Sequence, residues 1–121
     1  MKVDRKQIHA LFDGHCAYCG CILESEQGKH MQVDHIKPLR RNWWQNDMLN
    51  PENETLNNLH PSCPKCNNMK GSEELEAFRV QMLDTVRQLE RNPAYQRALR
   101  FGMIEVKEWD GIFYFEKYNQ K

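Results

Sequence analysis

The chain has 121 residues, a length that accommodates one domain of ordinary size and not two. Its 17 basic and 17 acidic side chains cancel, which excludes a uniformly basic DNA coat and an acidic disordered tail. Hydrophobic residues make up 40% and the mean hydropathy is −0.85, as expected of a soluble domain with a modest core. No run approaches the roughly 18 apolar residues of a membrane helix. The N-terminus lacks the apolar run of a secretory signal, so the expected location is the reducing cytoplasm.

Taken in chain order, residues 4–12 place Ile8, Leu11 and Phe12 at i, i+3 and i+4, which predicts a short amphipathic helix stopped by Asp13-Gly14. Cys16 to Gly20 reads as a metal knuckle. Residues 30–37 alternate around Met31, Val33 and Ile36, a strand ending before Pro38. Residues 38–54 read as loop and carry Arg40, Arg41, Trp43 and Trp44. A second knuckle starts at Cys63, and a short helix runs from it to Lys70 with Gly71 as its stop. Ser72 is placed to cap a long acidic helix. Its apolar stripe, Leu75, Phe78, Met82, Val86 and Leu89, extends through residue 91. Asn92-Pro93 opens another helix, ended by Gly102. Residues 103–108 and 112–118 alternate around Asp110-Gly111, the pattern of a β-hairpin. Segments 35–50 and 63–70 are net positive and 71–90 is net negative, so a basic surface suits an anionic partner on one face.

Five cysteines occur, and four form the pairs Cys16/Cys19 and Cys63/Cys66. In a reducing compartment two Cys-x-x-Cys pairs are the expected ligand set for tetrahedral Zn²⁺, each tight turn offering two thiolates. The bland alternative is two redox or packing pairs that never meet. Cys21 is left over, as a packed or free thiol or as a competing ligand.

Between and after the knuckles stand Val33-Asp34-His35-Ile36-Lys37-Pro38, then Asn58-Leu59, then Cys63-Pro64-Lys65-Cys66-Asn67-Asn68-Met69-Lys70-Gly71. In this order and spacing the sequence resembles the HNH endonuclease family over residues 16–71, nearly half the chain. The resemblance implies an α+β fold: a small ββα-metal, treble-clef-like core stapled by structural zinc. Added helices and the C-terminal β-hairpin complete a single domain, residues 72–121 being its extension. It also implies an endonuclease that hydrolyses DNA phosphodiester bonds, with 5′-phosphate and 3′-hydroxyl ends.

Histidine titrates near neutral pH, which qualifies His35 as a general base, and a hard cation prefers the oxygens that Asp34 and Asn67 offer. The resemblance assigns Asp34 and Asn67 to a catalytic Mg²⁺ or Mn²⁺, His35 to the base, and Asn58 to orienting the active-site loop or His35. Asn67 stands where the motif's third letter is His, an HNN variant. Neighbours on a regular strand face opposite ways, so Asp34 and His35 serve one site only where the strand is irregular or ending.

Lys70, one helical turn beyond Asn67, is placed either to contact phosphate or to compensate a helix dipole. Lys37, Arg40 and Arg41 are candidates for the phosphate backbone, against a solvated loop. Trp43 and Trp44 either stack on bases or pack the loop onto the core. His60 reads as a surface histidine or as one orienting a neighbour. The expected partner is DNA, bound by a monomer or homodimer, with a partner protein as a source of specificity. Two competing functions are a non-catalytic zinc module that binds nucleic acid and a protein-interaction domain using the acidic helix. Asp34, His35 and Asn67 together favour the nuclease, because a bare carboxylate repels phosphate unless a metal intervenes.

Overall fold

A computed structural model describes residues 3–38, 41–42, 47–48 and 55–119. Helix α1 (Arg5–Ala10) starts at Asp4, whose carboxylate accepts hydrogen bonds from the Lys6 and Gln7 amides. The chain then enters the first knuckle, where His15 bridges Ile22 and the Cys16 amide donates to the Cys21 carbonyl at 2.8 Å. Gly20 turns this loop at φ +80°, and a Cβ there would come within 2.7 Å of the Tyr114 ring. Both the turn and the close approach require glycine.

Strand β1 (Gln32–His35) is followed by the two-residue strands β2 (Arg41–Asn42) and β3 (Asp47–Met48), which pair with each other. Strand β4 (Leu59–Ser62) returns antiparallel to β1, with Asp34 opposite His60 and His35 opposite Leu59. Cys63 then caps α2 (Pro64–Lys70), its sulfur accepting from the Cys66 amide, and Pro64 takes the first helical position. Strands β1 and β4 and helix α2 make a ββα unit. Four further helices follow: α3 (Leu75–Leu83), α4 (Thr85–Leu89), α5 (Pro93–Arg100) and α6 (Tyr114–Asn119).

The core is aromatic and centred on the first knuckle. The Tyr18 ring meets Phe78, Phe113 and His60 edge-on, at centroid separations of 5.6, 5.5 and 5.7 Å. Ile8, Leu23, Met31 and Leu59 fill the space around them. No helix among the described residues is long and apolar enough to cross a membrane.

Three sequence expectations are corrected. The long helix over 72–91 divides at Asp84, and Glu74 rather than Ser72 occupies its N-cap. Only the first part of the apolar stripe finds a core: Phe78 is buried, and Leu75 and Met82 pack against it, whereas Val86 and Leu89 stay 37% and 40% exposed.

The C-terminal hairpin is absent among the described residues, where the return leg after Asp110-Gly111 is α6. The alternating aromatics belong to a docking surface. The Tyr114 and Phe115 amides donate to the Tyr18 and Ala17 carbonyls at 3.1 and 2.7 Å, and the Glu116 carboxylate caps the Phe113 amide at 2.9 Å. Arg79 of α3 reinforces the seat by donating to both Glu116 oxygens and to the Gly111 carbonyl. These donors and acceptors have no counterpart in a β-ladder.

His60, expected at the surface, is 7% exposed and packed among Phe12, Tyr18 and Phe115. Arg40, Trp43 and Trp44 lie outside the described residues, and of Arg41 only the backbone is described.

Burial, and next the Lys70 charge, push the His60 imidazole down from 6.5 to about 4, so it is neutral in the fold. The unfolded chain takes up this proton first as pH falls. The stability associated with a neutral His60 is therefore complete above about pH 6.5 and is lost progressively towards pH 4. His60→Phe is expected to remove this component, about 3 kcal/mol in full. Chemical denaturation of both proteins across that pH range measures it; parallel pH profiles would contradict the assignment.

Candidate active site and cysteine cluster

An open cavity of about 210 Å³ lies where β1 ends against α2, and Asp34, His35, Pro38, Asn67, Gly71 and Ser72 line it. The strand brings Asp34 and His35, and the helix brings Asn67. Asp34 is buried and His35 half-buried, as the pleat requires. They meet one cavity because the ladder stops there. Beyond His35 the partner of the chain is Asn58: its carbonyl accepts from the Ile36 amide at 2.9 Å. Its side-chain oxygen accepts from the Lys37 amide and its side-chain nitrogen donates to the Lys37 carbonyl, both at 2.8 Å. One asparagine thus replaces the next rung of the sheet and clamps the loop after the strand. Lys37 itself is exposed.

Asp34 is only 4% exposed and its carboxylate is held from two sides. The Tyr18 hydroxyl donates to Oδ2. The Lys70 ammonium lies 3.2 Å from Oδ2 and 3.5 Å from Oδ1, and donates to the His35 carbonyl at 2.9 Å. Lys70, a phosphate-contact or dipole candidate from the sequence, is 0% exposed and works from inside the protein. Burial raises the Asp34 carboxyl above its ordinary range in spite of these partners. Burial also raises the Tyr18 phenol, and the Asp34 charge raises it further.

The donor set fits a hard divalent cation. A carboxylate and an amide oxygen line one cavity, and a carboxylate with two donors retains further lone pairs. Among the described residues no group of three carboxylate, histidine or cysteine ligands forms here, so water or substrate oxygens would complete the shell, as Mg²⁺ commonly accepts.

A buried ion pair is expensive to break and contributes little net stability when intact. Lys70→Met strands the Asp34 charge and is expected to destabilise the protein by about 3–5 kcal/mol. Asp34→Asn in the same chain should recover part of that loss. Denaturant melts of the two single variants and the double variant check this; simple additivity would refute a direct pair.

The second cluster lies at the knuckles. The sulfurs of Cys16, Cys19, Cys21 and Cys63 all fall within 4.8 Å of one another, with Cys19 and Cys63 at 3.9 Å. Tetrahedral zinc–thiolate geometry places sulfurs about 3.8 Å apart, so the group fits Zn²⁺. Cys66 adjoins the group through its amide, which donates to the Cys63 sulfur at 3.4 Å. Hydrogen bonds from Cys19 and Cys66 pull the Cys16 thiol down, and the bond to Cys16 pushes Cys66 up. The two knuckles therefore meet. Sequence reasoning missed Tyr18 as a partner of the site; nothing in its spacing marks it. Cys21 carried a signal, standing two residues beyond a presumed ligand.

The family model for HNH endonuclease matches residues 16–73. The Septu protein PtuB of Bacillus thuringiensis is 37% identical over 59 residues, covering 49% of this chain and 20% of that protein. The chain thus spans about a fifth of the length of that curated relative. No solved structure matches the chain. The matched segment holds both Cys-x-x-Cys pairs, the ββα unit and the cavity formed by Asp34, His35 and Asn67, and residues 16–73 of this chain are a domain of the HNH endonuclease family.

Proposed function

We propose that the chain is a metal-dependent endonuclease that hydrolyses phosphodiester bonds of DNA, with structural zinc at the knuckles. The observation that carries this reading is one open cavity, inside the matched segment, lined by Asp34, His35 and Asn67. Asp34 and Asn67 hold Mg²⁺ or Mn²⁺. Bound there, such a cation stabilises charge developing on the phosphate and on the leaving oxygen.

His35 takes the proton from the attacking water as general base. Asn58 fixes the loop that follows His35, and Tyr18 and Lys70 hold the Asp34 carboxylate in one orientation. Lys37, Arg40 and Arg41 contact the phosphate backbone. The zinc ligands are Cys16, Cys19 and Cys63, with Cys66 completing the Cys-x-x-Cys pair. With no net charge the domain binds DNA weakly by itself, and a partner protein supplies specificity.

One observation favours a second reading. Both Asp34 oxygens already have donors, which suits a zinc-dependent nucleic-acid-binding module without catalysis.

Supercoiled plasmid, incubated with zinc-loaded protein and Mg²⁺ or Mn²⁺, distinguishes the two. Nicking is expected with the added cation and not without it. His35→Ala should slow it by about 10²–10⁴-fold, the usual contribution of a general base. Asn67→Ala should lose activity that excess cation partly restores. DNA binding without cleavage at any cation concentration would establish the second reading.

A further inference from the structure

Five free cysteines stand at the knuckles for a metal that takes four, and the four sulfurs that lie together are those of Cys16, Cys19, Cys21 and Cys63. The group with every sulfur within 4.8 Å of every other contains Cys21, which lies outside both Cys-x-x-Cys pairs. Its position is built into the knuckle. The Cys21 carbonyl accepts from the Cys16 amide at 2.8 Å, and the preceding Gly20, at φ +80°, turns the chain back towards Cys16. Cys66 approaches from α2, its amide donating to the Cys63 sulfur at 3.4 Å. The two candidates differ in setting: Cys66 is buried at the start of a helix, whereas Cys21 is exposed on a loop.

We propose that Cys16, Cys19 and Cys63 are constant zinc ligands and that Cys21 and Cys66 share the fourth position. The inference rests on reading this cluster as a zinc site. It is independent of the nuclease chemistry, since none of the five cysteines lines the cavity. Its physical basis is that zinc imposes no directional preference beyond four donors, so two thiolates within reach of one vertex compete on equal chemistry. The consequence is redundancy: removal of either sulfur leaves a complete tetrahedral set.

The test uses the whole chain, with Cys21→Ser, Cys66→Ser and the double variant. Zinc content after gel filtration and the thiolate-to-Co²⁺ absorption of the cobalt-loaded protein are the readouts. Wild type and both single variants are expected to hold roughly one zinc per chain, with a four-thiolate cobalt spectrum. The double variant should bind at least about 10-fold more weakly, with weakened charge-transfer bands.

A measurement on unaltered protein guards against misfolded variants. Alkylation of the zinc-loaded chain, mapped by mass spectrometry, should label exposed Cys21 only partially, and fully once zinc is removed by a chelator. Loss of zinc in one single variant with full retention in the other would overturn the sharing, as would full labelling of Cys21 in the zinc-loaded chain. Wild type without zinc would overturn the zinc reading itself, and this inference with it.

Discussion

The Asp34 carboxylate is the point at which three separate parts of the chain are tied together. Tyr18 reaches it from the first knuckle, Lys70 reaches it from the end of α2, and Asp34 itself sits on β1. Each partner is buried, so none has water as an alternative. This requirement limits how the knuckle, strand and helix can sit. A buried ammonium must find its carboxylate and its carbonyl, and the packing of α2 against β1 provides both. The interaction specifies the site more than it stabilises the fold.

The same arrangement explains how a domain with a modest core can hold a defined cavity. The cysteine sulfurs gather two knuckles distant in sequence, and Tyr18 projects from between two of those cysteines into the aromatic cluster. Order at the cysteine cluster is thereby passed to β1 without a large apolar interior. Arg79 performs a parallel service on the far side, joining α3 to α6 through Glu116 and lying 4.7 Å over the Phe113 ring.

The sequence made the local elements legible where a residue type has a single use. Asn92-Pro93 and Gly71 marked helix ends, and the alternation around Val33 marked β1. The cavity residues were legible because motif order survives without tertiary information. The rest depends on partners remote in sequence. The Asp110-Gly111 alternation looks the same whether its aromatics face a neighbouring strand or a knuckle, and only carbonyls nearly a hundred residues away decide. The stripe of α3 likewise continues in sequence beyond the core it needs. Lys70 was ambiguous because a lysine one turn from Asn67 reads as a surface charge until a buried carboxylate appears beside it.

The seat of α6 on Ala17 and Tyr18 has a consequence for biosynthesis. A ribosome makes the chain from its N-terminus, so both knuckles emerge before the helix that covers the first one. Until residues 113–118 follow, the Tyr18 ring lacks its Phe113 and Phe115 neighbours, and the knuckle carbonyls lack their amide donors. The nascent domain can gather its cysteines early, yet it closes its aromatic interior only once residues 113–118 have been made. A chain terminated at residue 73 would keep every cavity residue and leave that interior open to water.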